Sequence, residues 1–129
     1  MAQRQWVEEA LSRSVIGAFY EVYNALGYGF LEHLYVKALE WELLDRGHRV
    51  SRQVGVRVTY KERELGCQRL DLIVDDTLVV EAKSCEVIRR GSTRQLFNYL
   101  HATNLEVGLL LHFGPEPKFY PVICPHPPH

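Results

Sequence analysis

Two short apolar stretches, Leu70-Asp71-Leu72-Ile73-Val74 and Val79-Val80-Glu81-Ala82-Lys83, carry charged residues where buried strands normally have none. Burying an unpaired carboxylate or ammonium costs several kcal/mol, comparable with the whole net stability of a small domain. Asp71, Glu81 and Lys83 must therefore neutralise one another or hold a metal ion. Side chains alternate along a strand, so Glu81 and Lys83 share a face. A turn at Asp75-Asp76 folds the first stretch back on the second and brings Asp71 level with, or diagonal to, Glu81. Two carboxylates and a backbone carbonyl, that of Ala82, make a hard-oxygen site suited to Mg²⁺, with Mn²⁺ as a substitute. Such an ion keeps several waters and takes the rest of its shell from phosphate. Lys83 beside it can orient an attacking water or move its proton, because a partly buried lysine shifts its pKa and an arginine does not. The same residues also admit a plainer reading, a structural Glu81–Lys83 pair on a half-exposed strand.

The rest of the chain supplies a scaffold for these strands. Val7, Ala10, Leu11, Val15, Ala18, Phe19, Val22, Tyr23 and Leu26 recur at three- and four-residue steps, an amphipathic helix stopped by Gly27. A second helix is expected from Leu31 to Arg46, with Leu31, Leu34, Tyr35, Ala38, Leu39 and Leu43 inward. The period then drops to two: Val50–Tyr60, Leu65–Val74 and Leu78–Ser84 read as three consecutive strands, the first pair joined by the charged turn Lys61-Glu62-Arg63-Glu64. A helix over Thr93–Ala102 and a buried strand over Val107–Phe113 follow, with Phe119–Ile123 as a candidate edge strand. The order α-α-β-β-β-α-β predicts an α/β fold, a mixed sheet with helices on its faces. One domain is expected over 1–129, with its core over about 15–123 and residues 124–129 as a frayed tail.

Composition narrows the function. Hydrophobic residues make up 47% of the chain, enough for a packed core, and no apolar run approaches the roughly 20 residues of a membrane helix. The N-terminus lacks a signal-peptide core. Cys67, Cys85 and Cys124 form no C-x-x-C pair, so reduced thiols in a cytoplasm are expected rather than zinc or an iron–sulfur cluster. The net charge of −1 gives no bulk attraction for nucleic acid, but it is unevenly spread. Residues 1–47 sum to −3 and residues 48–129 to +2, with arginines at 49, 52, 57, 63, 69, 89, 90 and 94. They read either as a solvated mixed surface or as a basic rim beside the carboxylates.

Further polar residues stand at helical spacing. Glu32 falls in the first turn of the second helix, where amide groups favour a carboxylate, and Tyr35 lies one turn on. Glu32 reads as a helix-start acid or as a further metal ligand. Gln95 and Tyr99 are one turn apart on the third helix and can contact phosphate or support Lys83; the alternative is a core tyrosine and a surface glutamine. Arg94 is a candidate phosphate contact. His33, His48, His101 and His112 show no metal-ligand spacing, and His126 and His129 lie on the tail.

Taken together, Gly29-x-x-Glu32-x-x-Tyr35, Asp71, Glu81-Ala82-Lys83 and Gln95-x-x-x-Tyr99 resemble the GxxExxY protein family of the PD-(D/E)XK nuclease superfamily. The likeness extends to Glu21-Val22, Leu26-Gly27, Gln53, Tyr60-Lys61, Leu65-Gly66, Arg69-x-Asp71 and Gly108-Leu109-Leu110. It implies a restriction-endonuclease-like core and Mg²⁺-dependent hydrolysis of phosphodiester bonds, most naturally in DNA. In that resemblance Asp71 and Glu81 match the metal-binding acids, Lys83 the catalytic lysine, Glu32 an additional acid, and Gln95 and Tyr99 a Q-x-x-x-Y element. Leu70 stands where the superfamily name has proline, and Ser92 where the family has histidine. The alternative is a nuclease-fold module that binds nucleic acid or a protein partner without cleaving. At this length, a homodimer or a partner protein would extend the contact surface.

Overall fold

The computed structural model describes residues 2–126, with side chains from residue 8 onward. The side chain of Val7, on the expected apolar face, and residues 127–129 of the expected tail lie outside what the structure describes. The elements are α1 (Ala2–Leu26), α2 (Glu32–Asp45), β1 (Val50–Tyr60), β2 (Arg63–Val74), β3 (Leu78–Ser84), α3 (Ser92–His101), β4 (Val107–Phe113) and β5 (Pro117–Ile123). The strands form one mixed sheet in the order β1-β2-β3-β4-β5, with β3 and β4 parallel and the other neighbours antiparallel. This is the expected α/β architecture, and β5 is the edge strand that the sequence offered only as a candidate.

Alternation along the strands builds two cores. Leu72, Val74, Leu78, Val80, Ala82, Leu109, Leu111 and Phe113 face α1 and α2; Ile73, Val79, Leu110 and Val122 face α3. Helix α1 contributes Leu11, Val15, Ala18, Phe19 and Val22 to the first core, as its spacing predicts. Helix α2 departs from expectation. Leu31 and Leu34 are exposed, and Val36 is buried beside Tyr35, Leu39 and Leu43. The helix begins at Glu32, so Leu31 belongs to the extended connection before it. Tyr35 stacks on Phe113 at 4.0 Å between ring centroids, and its hydroxyl donates to the Gly27 carbonyl at 2.5 Å while accepting from the Phe30 amide at 3.2 Å. The bend between α1 and α2, where Gly27 and Gly29 adopt φ of +74° and +109°, is thereby pinned to the core.

The segment expected to fray is anchored over its described part. Cys124 is buried, its amide donates to the Glu106 carbonyl at 2.8 Å, and His126 Nε2 donates to the Leu105 carbonyl at 2.9 Å. Pairing with the α3–β4 connection overrides a proline-rich composition that by itself forms no regular structure. A second tie joins three separate elements: Ser14 Oγ lies 2.7 Å from His48 Nε2, and His48 Nδ1 lies 2.8 Å from Asp75 Oδ2. Ser14 is mid-helix, so this Ser–His–Asp line is a clamp between α1, the α2–β1 connection and the β2–β3 turn.

Candidate active site

The β2–β3 ladder consists of Leu72–Val80, Ile73–Val79 and Val74–Leu78. Asp71 and Glu81 are the next opposed residues, and the ladder stops before them. Their carboxylates occupy the gap: the Ala82 amide donates to Asp71 Oδ2 at 2.9 Å, and the Asp71 amide makes a longer contact with Glu81 Oε2 at 3.4 Å. Backbone donors released from the ladder are thus satisfied by the acids, which are held by rigid strands. On the other side of β2, the β1 register omits the Gln53–Asp71 pair between Arg52–Leu72 and Val54–Leu70. Gln53 adopts a φ of +50°, in the left-handed region. Beyond this bend Val54, Val56 and Leu70 turn to the α3-side core, whereas Val50, Leu72 and Val74 before it pack on α1 and α2. The bend lies opposite Asp71, at the point where the sheet opens.

A cleft of about 120 Å³ opens there, bounded by Glu32, Gln68, Arg69, Asp71, Glu81, Lys83, Ser92, Gln95, Leu96, Tyr99 and Leu110. Of the residues expected at a site, Asp71, Glu81, Lys83, Glu32, Gln95 and Tyr99 all reach this cleft. Tyr35 and Arg94 do not line it: the tyrosine is committed to Gly27 and Phe113, and the Arg94 guanidinium sits 4.6 Å above the Phe97 ring. The Ala82 side chain is buried in the α1–α2 core, while its amide serves Asp71. Gln68 and Ser92 are lining residues to which sequence reasoning gave no role. Arg69 entered the sequence reading only among the clustered arginines and, as Arg69-x-Asp71, within the family resemblance. Gln68 gave no such signal, because regular alternation sends it to the opposite face and the bend brings it round.

Burial pushes the Glu81 carboxyl up to about 9, and the hydrogen bond and charge of Asp71 act in the same direction. The Asp71 amide and the Lys83 ammonium pull it down by less. Burial beside a second carboxyl group therefore favours the protonated form of Glu81 unless positive charge compensates it. The Tyr99 hydroxyl is also raised, first by desolvation and then by the charge of Glu81, with a hydrogen bond from Gln95 opposing. Gln95 and Tyr99 therefore act as a coupled pair one helical turn apart, beside the acids.

The donor set fits a hard divalent cation. Among the described residues no group of three His, Cys, Asp or Glu side chains is placed to hold a metal ion. Glu32 accepts instead from the Ser84 amide at 3.3 Å. Mg²⁺ commonly takes one or two carboxylates and completes its shell with water and phosphate, so the Asp71–Glu81 pair meets its demand without a third acid.

Comparison with known proteins agrees with this architecture. A solved crystal structure of SSO0001 superposes with a TM-score of 0.57 at 19% identity, covering 74% of this chain and 50% of that one. The chain thus spans half the length of that protein, and the likeness is one of fold. No curated protein matches the chain. No helix among the described residues is long and apolar enough to cross a membrane. A family model described as the PD-(D/E)XK nuclease superfamily matches residues 9–120. The order of helices and strands, the mixed sheet and this match over most of the sequence agree, and the chain belongs to the PD-(D/E)XK nuclease superfamily.

Proposed function

We propose that this protein is a divalent-metal-dependent nuclease of the GxxExxY branch, hydrolysing phosphodiester bonds in DNA. The observation that carries the reading is the meeting of the Asp71 and Glu81 carboxylates where β2 and β3 part, with Lys83 on the same face and in the same cleft. Asp71, Glu81 and the Ala82 carbonyl would hold Mg²⁺, or Mn²⁺ in its place. When bound, the ion supplies charge neutralisation at the phosphate and acidification of a water.

The chain's own residues account for the remainder. The Lys83 ammonium donates to the oxygen of the attacking water, orients it and steadies the hydroxide as it forms, while the water's proton passes to solvent through the open cleft. Glu32, fixed by the Ser84 amide at the far side of the cleft, stabilises the water's second hydrogen. Gln95 and Tyr99 present an amide and a phenol to a phosphate oxygen. Leu96 and Leu110 supply the apolar part of the cleft's lining.

The test is incubation with single- and double-stranded DNA in Mg²⁺ or Mn²⁺. Wild type is expected to cleave, and Lys83→Ala is expected to lose at least about a hundredfold in rate with an unchanged circular dichroism spectrum. Equal activity in Lys83→Ala would overturn the mechanism. Salt-dependent DNA binding without turnover in either metal would favour a module that binds without cleaving.

A further inference from the structure

Two larger cavities continue the cleft. The first, of about 410 Å³, shares Glu32, Lys83, Ser92 and Gln95 with it and extends to Arg89 and Arg90. The second, also about 410 Å³, shares Ile88, Arg89, Arg90 and Gly91 with the first and ends at His112, Lys118 and Tyr120. The three together form one trench across the α3 side of the sheet. Register supports this path, because Lys83 pairs with His112 across β3–β4 and His112 with Lys118 across β4–β5. One row of strand positions therefore runs from the candidate active site to the far edge of the sheet, about 10 Å away at two strand spacings.

Arg46, Arg49, Arg52 and Arg57 are each paired with a carboxylate on Glu42, Asp76, Glu40 and Glu64. The trench cations Arg89, Arg90 and Lys118, like Arg13, Lys61 and Arg63 outside it, make no ion pair among the described residues. What sets them apart is their place along one groove that leads from the candidate active site. The same cavity is lined by the apolar and aromatic groups Val87, Ile88 and Tyr120 and by one carboxylate, Glu86. His112 lines the same cavity and is held in place by the backbone. Its Nε2 donates to the Cys85 carbonyl at 2.8 Å, and its Nδ1 is buried without a partner. Gly114 carries no Cβ at the point where one would press on this ring at 2.5 Å.

We propose that this trench is a phosphate-binding track for single-stranded polynucleotide, with Arg89, Arg90 and Lys118 gripping successive phosphates beyond the bond to be cut. Cations without ion pairs lining a groove that also holds a ring and aliphatic side chains are the elements of sequence-independent single-strand binding. The inference rests on the nuclease reading for the identity of its ligand and extends it by naming the strandedness of the substrate.

The test is fluorescence anisotropy with a labelled oligothymidylate of about 12 nucleotides, in EDTA, as a function of salt. Arg89→Ala/Arg90→Ala/Lys118→Ala is expected to weaken binding roughly thirty- to a hundredfold at 0.1 M salt and to flatten the log–log salt slope by about 2. Arg49→Ala/Arg57→Ala/Arg63→Ala removes the same charge from β1, β2 and the connection before β1, and is expected to change affinity less than about threefold. Equal losses in the two triple variants, no loss in the first, or duplex binding that is as strong and as sensitive would each overturn the proposal. Because EDTA removes turnover from the assay, the two readings fail separately. A track that binds in a protein that never cleaves counts against the nuclease, and cleavage that ignores the three trench cations counts against the track.

Discussion

Glu81→Gln should make the metal-free protein more stable while abolishing cleavage, and the gain should grow with pH. The glutamine keeps the shape of the carboxyl, can accept from the Asp71 amide, and can donate to the Asp71 carboxylate, so it imitates the protonated glutamic acid. In the unfolded chain Glu81 ionises at its ordinary value of 4.5, whereas the folded site holds its proton up to about 9. The folded pKa is raised, so the associated stability is fully present below the unfolded value and is lost as pH rises toward the folded one. The limiting slope is about 1.4 kcal/mol per pH unit, or nearly 3 kcal/mol between pH 5 and 7. The group borders an open cleft, and about half of that, 1–2 kcal/mol, is the expected loss after solvent screening. For a domain of this size it corresponds to a fall of about 4–8 °C in Tm. Thermal unfolding followed by circular dichroism in EDTA at pH 5, 6, 7 and 8 reads it directly. Wild type should lose stability across the series and Glu81→Gln should not. Millimolar Mn²⁺ should restore wild type at pH 7–8 and leave the variant unchanged. Parallel curves for the two proteins, or a variant less stable at every pH, would refute the assignment of a cation-seeking carboxylate pair.

Three further outcomes follow from the packing. Tyr35→Phe removes the hydroxyl that joins Gly27 and Phe30; it should cost about 1–2 kcal/mol in urea denaturation and leave the rate of DNA cleavage within about twofold. Glu62 occupies the β1–β2 turn with a φ of +66°, where a side chain is strained, so Glu62→Gly should raise stability by about 1 kcal/mol, measured as a higher Tm with unchanged spectrum. Although burial opposes it, hydrogen bonds from His48 and the Arg49 amide hold the Asp75 carboxyl below its ordinary value. Its contribution is therefore present above that value and is lost as pH falls through the folded pKa. Asp75→Asn should destabilise near pH 6 and should remove part of the wild type's acid-induced loss below about pH 4 in an equilibrium pH titration.

The sequence made the site visible for a physical reason. Burial tolerates charge only under compensation, so Asp71, Glu81 and Lys83 inside apolar strands stood out, and two-residue alternation with a short turn sufficed to bring them together. Helical spacing likewise carried Gln95 and Tyr99 to one place, since a turn of α3 is a local structure. What escaped was non-local. Gln53 has no glycine-like signature of a left-handed bend, yet that bend reorients the β1–β2 hairpin and brings Gln68 to the cleft. The spacing of α2 gave Leu31 and Leu34 an inward face, and the start at Glu32 leaves both exposed. Nor did spacing reveal that the Tyr35 hydroxyl would be consumed by the Gly27 carbonyl, or that Glu32 would be drawn to the Ser84 amide. Each depends on a partner more than one element away or on a loop whose path only the assembled core defines.

The measurement closest to the central claim is anomalous diffraction from crystals soaked in Mn²⁺, for wild type and for Asp71→Ala. The account predicts one strong peak within bonding distance of both the Asp71 and Glu81 carboxylates, beside Lys83, which disappears in the variant. A wild-type crystal with no peak at that position, or with an ion held by other side chains and indifferent to Asp71, would contradict it.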